Sequence, residues 1–358
     1  MRSFVSPSRY VQGTDTVDDL GAHAGELGER VLLVTDENVH DVVGDRVDRS
    51  LSSAGVAARV ATFGGQCTED EVSRLSRDAR RSEADVVVGM GGGKVIDVAK
   101  GVRGRVGGRL ITVPTIASTD APTSGLSVLY TADGDLAGGV VHDERPDLVL
   151  VDTGVIAAAP VRWFVSGVGD ALATRFEAAA TMESGGWTFA GGSPSQAGLA
   201  LARQCYDDLR AHAPAAVSAV RGGTVTDDVE TTVEAIVLLS GLGFENGGLA
   251  AAHAVHDGIV STVNPEATHG QMVCFGLLTQ LMLEHRPDET VRDIARFAHG
   301  LGLPVTLAGL GVPAGRLEEL ADAICGDETT IDNQPGEPTP DAVTDALLAA
   351  DELGHSLE

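Results

Sequence analysis

Lysine is nearly missing from this chain: of 25 basic residues among 358, only Lys94 and Lys100 are lysines. Positive charge as a whole is scarce, since 52 Asp and Glu residues leave a formal net charge of −27. Nucleic acid and anionic membrane surfaces both demand a basic face, so neither is an expected partner. Aromatic residues make up 4%, and no apolar run approaches the roughly 20 residues needed to span a bilayer. Cysteine is confined to Cys67, Cys205, Cys274 and Cys325, far apart and without a Cys-x-x-Cys pair. That spacing excludes a disulfide framework and a thiolate zinc site, leaving buried, reduced thiols. The N-terminal MRSFVSPSRYVQG lacks the charged-then-apolar layout of a signal peptide, so the expected location is cytoplasmic.

What is present is a 43% hydrophobic composition and a length that suits two domains with sizeable cores. An acid-rich, lysine-poor surface suits a protein kept soluble in concentrated salt, where charge self-repulsion is screened. A halophilic source is the corresponding expectation. The composition also singles out one segment, because both lysines fall in GGGKVIDVAK.

The N-terminal part alternates apolar runs with polar, helix-length stretches. VLLVTD (31–36), ARVATF (58–63), ADVVVGMGGG (84–93), GRLITVPT (108–115) and DLVLVD (147–152) read as strands. Continuous apolar strands separated by helices indicate an α/β domain, a Rossmann-like parallel sheet covered on both faces. SVLYTADGDLAGGVVH (127–142) reads instead as a hairpin turning at Asp133-Gly134. Beyond about residue 160, alanine- and leucine-rich segments at helical spacing predict an all-α domain: 167–180, 195–211, 227–241, 246–260, 271–284, 289–301, 314–324 and 339–351. The expected domains are 1–158 and 159–358.

Four groups of residues carry chemistry. GMGGGKVID (89–97) follows a strand directly. Its glycines, Gly92 and Gly93 among them, let backbone N–H groups approach an anion at a helix N-terminus, and Lys94 adds charge. The motif through Asp97 is thus a candidate pyrophosphate cradle. Asp36 ends the strand VLLVTD, where a carboxylate can accept from a ribose diol and repel a 2′-phosphate, which favours NAD over NADP; a helix cap is the competing reading. PTIASTDAPTSGLSVLY (114–130) is a hydroxyl-rich loop beside a strand end, able to donate to phosphate or amide oxygens, or simply a solvated loop. Finally, Asp170 in SGVGDALATRFEAAA joins His253 and His256 in FENGGLAAAHAVHDG and His269 in THGQMV. Two imidazoles and a carboxylate form a three-ligand set that leaves a position open, the pattern of catalytic zinc. Spacing alone does not choose among the three histidines.

Taken in order, GGGKVIDVAK, PTIASTDAPTSGLSVLY, GVGDALAT, FENGGLAAAHAVHDG, HGQMVCFGLLTQLMLE and the tail TTIDNQPGEPTPDAVTDALLAADELG resemble the glycerol dehydrogenases of the iron-containing, or group III, alcohol dehydrogenase superfamily. The resemblance covers essentially the whole chain. It implies a dehydroquinate synthase-like fold and one zinc per subunit held by Asp170, His253 and His269, with His256 nearby but not a ligand. It implies NAD contacts from Asp36, Gly93, Lys94, Thr115, Ser118, Ser124, Leu126 and Tyr130, with Asp120 facing the substrate beside Asp170. The implied reaction is glycerol to dihydroxyacetone in a cleft between the domains, in a homo-oligomer that is often an octamer. Asp120 or His256 would relay the proton. Arg175 and Asn246 depart from the family pattern, an uncharged residue and a serine being usual there, and DGIVSTVNPEAT is short. Arg175 leaves room for glycerol 1-phosphate as an alternative substrate. A dehydroquinate-synthase-like lyase, using NAD without net turnover, is the alternative of another class.

Overall fold

A computed structural model describes residues 1–336 and 338–357; Glu337, in the tail stretch, and Glu358, at the end of the expected second domain, lie outside the described residues. Six parallel strands form one sheet: β1 (Tyr10–Gly13), β2 (Arg30–Thr35), β3 (Ala57–Thr62), β4 (Val86–Gly91), β5 (Arg109–Pro114) and β8 (Leu148–Asp152). Their spatial order is β1-β8-β5-β4-β2-β3. Side chains alternate across a strand, so neighbours in sequence feed opposite faces. Val31, Leu33, Val86, Val88 and Ile111 pack on one side, while Leu32, Val34, Val87 and Leu110 pack on the other. Burying each such side chain stabilises the fold by about 1.5–3 kcal/mol, which is why these strands read as unbroken apolar runs.

Helices α1 (Leu20–Leu27), α2 (Glu37–Ser53), α3 (Glu69–Arg81) and α4 (Gly93–Val106) accompany the sheet. The α3 termini follow from its sequence. Thr68 caps the first turn by accepting from the Glu71 N–H, acids occupy that turn, and Arg80 and Arg81 face the negative end of the dipole. β6 (Leu126–Tyr130) and β7 (Leu136–Val141) form the anticipated antiparallel hairpin, with Gly134 in its turn at φ 95°. β1 was not anticipated; YVQG is a four-residue edge strand with no fully buried position.

The remaining helices are α5 (Thr153–Ala158), α6 (Val161–Ser184), α7 (Gln196–Arg221), α8 (Asp227–Glu234), α9 (Gly241–Gly247), α10 (Ala251–Thr262), α11 (His269–Leu283), α12 (Asp288–Leu301), α13 (Leu317–Ile324) and α14 (Pro340–His355). Between α8 and α9 the chain forms a π-helical turn, Ala235–Ser240. Among the described residues no single helix is long and apolar enough to cross a membrane. Cys67, Cys205 and Cys274 are buried, Cys325 is half-buried, and all four are free thiols.

The chain divides into two compact units that are not contiguous halves. One is Ser6–Val161 with Ser218–Gly241; the other is Met1–Val5, Arg162–Val217 and Leu242–Glu358. A single cut at 158/159 does not describe this exchange of segments. The segment around α8 is tied to the α/β unit by polar bonds: Glu230 accepts from the Thr153 hydroxyl (2.6 Å) and from the Gln12 amide (2.7 Å). Met1–Val5 is fastened to the helical unit by Asn246, whose amide accepts from the Val5 N–H (2.7 Å) and donates to the Val5 carbonyl (2.9 Å). The asparagine that departs from the family pattern is therefore a clasp for the N-terminal segment.

Candidate active site

The α/β unit collects the expected cofactor residues at the carboxyl ends of adjacent strands. After β2 the chain proceeds outward to β3, then crosses back to β4 on the other side of β2, so strand order reverses between β2 and β4. Open parallel sheets bind ligands at such a switch point. Asp36 follows β2, the Gly91–Gly93 run ends β4, and Thr115 follows β5, its N–H bonded to the Gly91 carbonyl (3.2 Å). Gly92 stands at the N-cap of α4 and brings no side chain to compete for the first turn. A methyl group on Gly92 would press on Ile116 at 3.0 Å and one on Gly93 on the Thr119 hydroxyl at 3.3 Å, so the hydroxyl loop closes over the glycines. Lys94 is exposed and its Nζ lies 4.9 Å from the centroid of the Tyr130 ring, where desolvation lowers its pKa. Leu126 and Tyr130 are half-buried on β6, and Thr115, Ser118 and Ser124 are buried. One Asp36 carboxylate oxygen caps α2, accepting from the Val39 N–H at 2.9 Å.

Asp97 and Lys100 form an internal brace beneath that loop. The Lys100 ammonium, 1% exposed, donates to the Ala121 carbonyl (2.7 Å), the Leu126 carbonyl (2.6 Å), Asp97 Oδ1 (3.1 Å) and the Ser124 hydroxyl (3.3 Å). Asp97 Oδ2 accepts from the Val128 N–H (3.1 Å). Asp97, expected in the cofactor cradle, thus has its carboxylate turned to Lys100 and the hairpin. Asp120 is buried within the same unit, and its Oδ2 accepts from the Ser240 hydroxyl at 2.7 Å.

The helical unit brings Asp170, His253 and His269 together, with ligand atoms all within 4.8 Å of one another. Two glycines explain how. A methyl on Gly169 would collide with the Gly270 carbonyl, and one on Gly270 with the Ser166 carbonyl. Each glycine adjoins a candidate ligand, so backbone contact between α6 and the start of α11 seats Asp170 against His269. Asp170 Oδ1 lies 3.1 Å from His269 Nε2 and 3.5 Å from His253 Nε2. Tetrahedral zinc bonds of about 2.0–2.2 Å place ligand atoms about 3.3–3.5 Å apart, so donor types and spacing fit such an ion. His256 stands behind His269, its Nε2 2.9 Å from His269 Nδ1, and its Nδ1 meets Asp257 at 2.8 Å.

The electrostatics match a cluster built around opposite charges. Burial pushes the Asp170 carboxyl up, but His269 and His253 outweigh it and hold it well below the usual range. Burial pulls His253 down, yet Glu177 and Asp170 raise it well above an ordinary imidazole. Burial, aided by the charge of His269, lowers His256 to about 4.

Sequence reasoning missed Glu177, whose carboxylate contacts His253; the signal was its place seven residues after Asp170, two turns along one helix face. Ser240 also went unnoticed, since nothing in VLLSG marks a partner for Asp120. Arg175 turns away: it lies 4.7 Å from the centroid of the Tyr206 ring and pairs with Asp207 at 3.4 Å.

Comparison with known proteins bears on the family of the chain. Residues 7–153 match the family model for iron-containing alcohol dehydrogenases. A glycolaldehyde reductase of Halobacterium salinarum is 47% identical over 98% of each chain. A glycerol dehydrogenase of Escherichia coli is 44% identical over 99% of this chain and 98% of its own. The crystal structure of glycerol dehydrogenase from Schizosaccharomyces pombe superimposes with a TM-score of 0.96 at 36% identity, covering 100% of this chain and 92% of that one.

Proposed function

The chain belongs to the iron-containing alcohol dehydrogenase family, and from that premise we propose that it is an NAD-linked, zinc-dependent polyol dehydrogenase. It interconverts glycerol, or a related vicinal diol, and the corresponding α-hydroxy carbonyl compound. The observation that carries this reading is the buried Asp170–His253–His269 group, whose two imidazoles and one carboxylate leave coordination room for substrate. When bound, zinc supplies Lewis acidity that eases loss of a hydroxyl proton, and NAD supplies the hydride acceptor.

The chain's own residues supply the rest. Asp36 accepts from the ribose diol and excludes a 2′-phosphate, while Gly92, Gly93 and Lys94 hold the pyrophosphate at the start of α4. Thr115, Ser118 and Ser124 add uncharged donors, and Leu126 and Tyr130 wall the nicotinamide side. Asp120 accepts a substrate hydroxyl, with Ser240 fixing its carboxylate. His256 holds His269 from behind and connects it to Asp257.

A vicinal diol also unites the relatives' names, since glycerol is a vicinal diol and reduction of glycolaldehyde, an α-hydroxy aldehyde, yields one. A phosphorylated substrate wants basic residues, which weakens both the glycerol 1-phosphate reading and the lyase. The helical unit has no lysine, and the Arg175 guanidinium is occupied by Tyr206 and Asp207. The test is NADH formation with glycerol and with glycerol 1-phosphate, each with and without chelator. Turnover of glycerol alone, lost on chelation and in His253→Ala along with metal retention, is the expected result. A His253→Ala protein that keeps the wild-type rate in the presence of EDTA overturns the zinc assignment.

A further inference from the structure

We infer that Glu177 is a positioning residue that makes His253 a metal ligand, by fixing the proton on Nδ1 and turning Nε2 towards Asp170. The inference rests on the metal reading above and goes further, to a residue that touches neither metal nor substrate. Glu177 lies on α6 and is 0% exposed. A carboxylate at such depth requires compensation, and three N–H groups provide it. Oε1 accepts from the Ala250 N–H (2.9 Å) and the His253 N–H (3.0 Å), and Oε2 from His253 Nδ1 (2.8 Å).

The two backbone donors belong to the residue that precedes α10 and to the third residue of that helix. The residue before that helix is Ala250, which has no side-chain oxygen to cap it. Glu177 is therefore a cap supplied from another helix, and it ties the helix start and the imidazole to one rigid group. With both carboxylate oxygens accepting, Nδ1 must carry its proton, and Nε2 is the nitrogen left to coordinate. Histidine ligands depend on such outer partners for ring orientation and basicity.

Only an acceptor at both oxygens satisfies all three donors. In Glu177→Gln the amide must aim its NH2 group at one of them. Facing the backbone, it meets the N–H groups of Ala250 and His253. Facing the ring, it donates to Nδ1 and drives the imidazole proton onto Nε2, the coordinating atom. Either arrangement weakens metal binding while keeping the size and shape of the side chain.

The test strips zinc from the full-length protein and titrates it back against a chromophoric chelator, with cobalt absorption reporting ligand geometry. Glu177→Gln is expected to bind zinc about 10- to 100-fold more weakly than wild type and to alter the cobalt spectrum. Thr181→Val is the control for mere structural loss. It deletes hydrogen bonds from the Thr181 hydroxyl to the Glu177 and Leu249 carbonyls, one turn further along α6, and is expected to lower the melting temperature without changing affinity. Wild-type affinity in Glu177→Gln, or an equal loss in Thr181→Val, overturns the inference. A crystal structure of the zinc-loaded wild type, which needs no variant to fold, must show His253 coordinating through Nε2; coordination through Nδ1 overturns it as well. If the wild-type protein binds no zinc, the metal reading fails and takes this inference with it, an outcome distinct from a failure confined to Glu177.

Discussion

Lys100 carries a positive charge into the interior, where four oxygens from the hydroxyl loop, the hairpin and α4 surround it. Removing one partner of a buried pair leaves the other charge uncompensated, at a cost of about 3–5 kcal/mol. Lys100→Met is therefore expected to lose stability on that scale and to weaken NAD binding, because Ala121–Leu126 loses its anchor. Thermal melting and a fluorescence titration with NADH read the two effects; unchanged values for both contradict the brace. Single-residue reading went part of the way here. The two lysines stand out in the sequence because lysine is absent elsewhere. That one lies exposed beside Tyr130 and the other inward, six residues on, depends on how α4 packs under the loop. Gly169 and Gly270 are similar, since their motifs are visible in sequence while the backbone contact that requires glycine is tertiary.

Among the elements, the sheet was the most legible and the π-helical turn the least. Valine- and leucine-rich strands announce themselves through burial on both faces, whereas β1 is short and partly exposed. A π turn differs from an α-helix by one shifted hydrogen-bond register, which apolar periodicity does not record. Its effect is local and specific. The Thr123 hydroxyl donates to the Val237 carbonyl (3.4 Å), a methyl at Gly241 would strike Thr123, and Ser240 donates to Asp120. Ser240→Ala is expected to remove one hydrogen bond from the Asp120 carboxylate and lower kcat/KM for diol oxidation by about 10- to 100-fold, the range for a hydrogen bond to a charged group. Steady-state kinetics measure it. A rate within twofold of wild type indicates that Asp120 needs no such support.

At the scale of the whole molecule, the net charge of −27 governs behaviour more than any single contact does. In molar salt the screening length is about 3 Å, and at 0.01 M it is about 30 Å, so dilution exposes each carboxylate to many others. Without divalent metal or cofactor, the protein is expected to melt at a markedly lower temperature in 0.01 M than in molar sodium chloride, as followed by circular dichroism. Full structure and activity after prolonged low-salt dialysis contradict a halophilic design. Composition alone carries that expectation. It did not reveal that Met1–Val5 and Ser218–Gly241 change units, because polar bonds at Asn246 and Glu230 hold those segments. The same scarcity of lysine has a practical side. Acylating reagents that seek amines find a single reachable side chain, Lys94, because Lys100 is sealed under its loop. Apart from the α-amino group, the molecule carries one addressable handle, and on the proposed function a bound dinucleotide is expected to shield it.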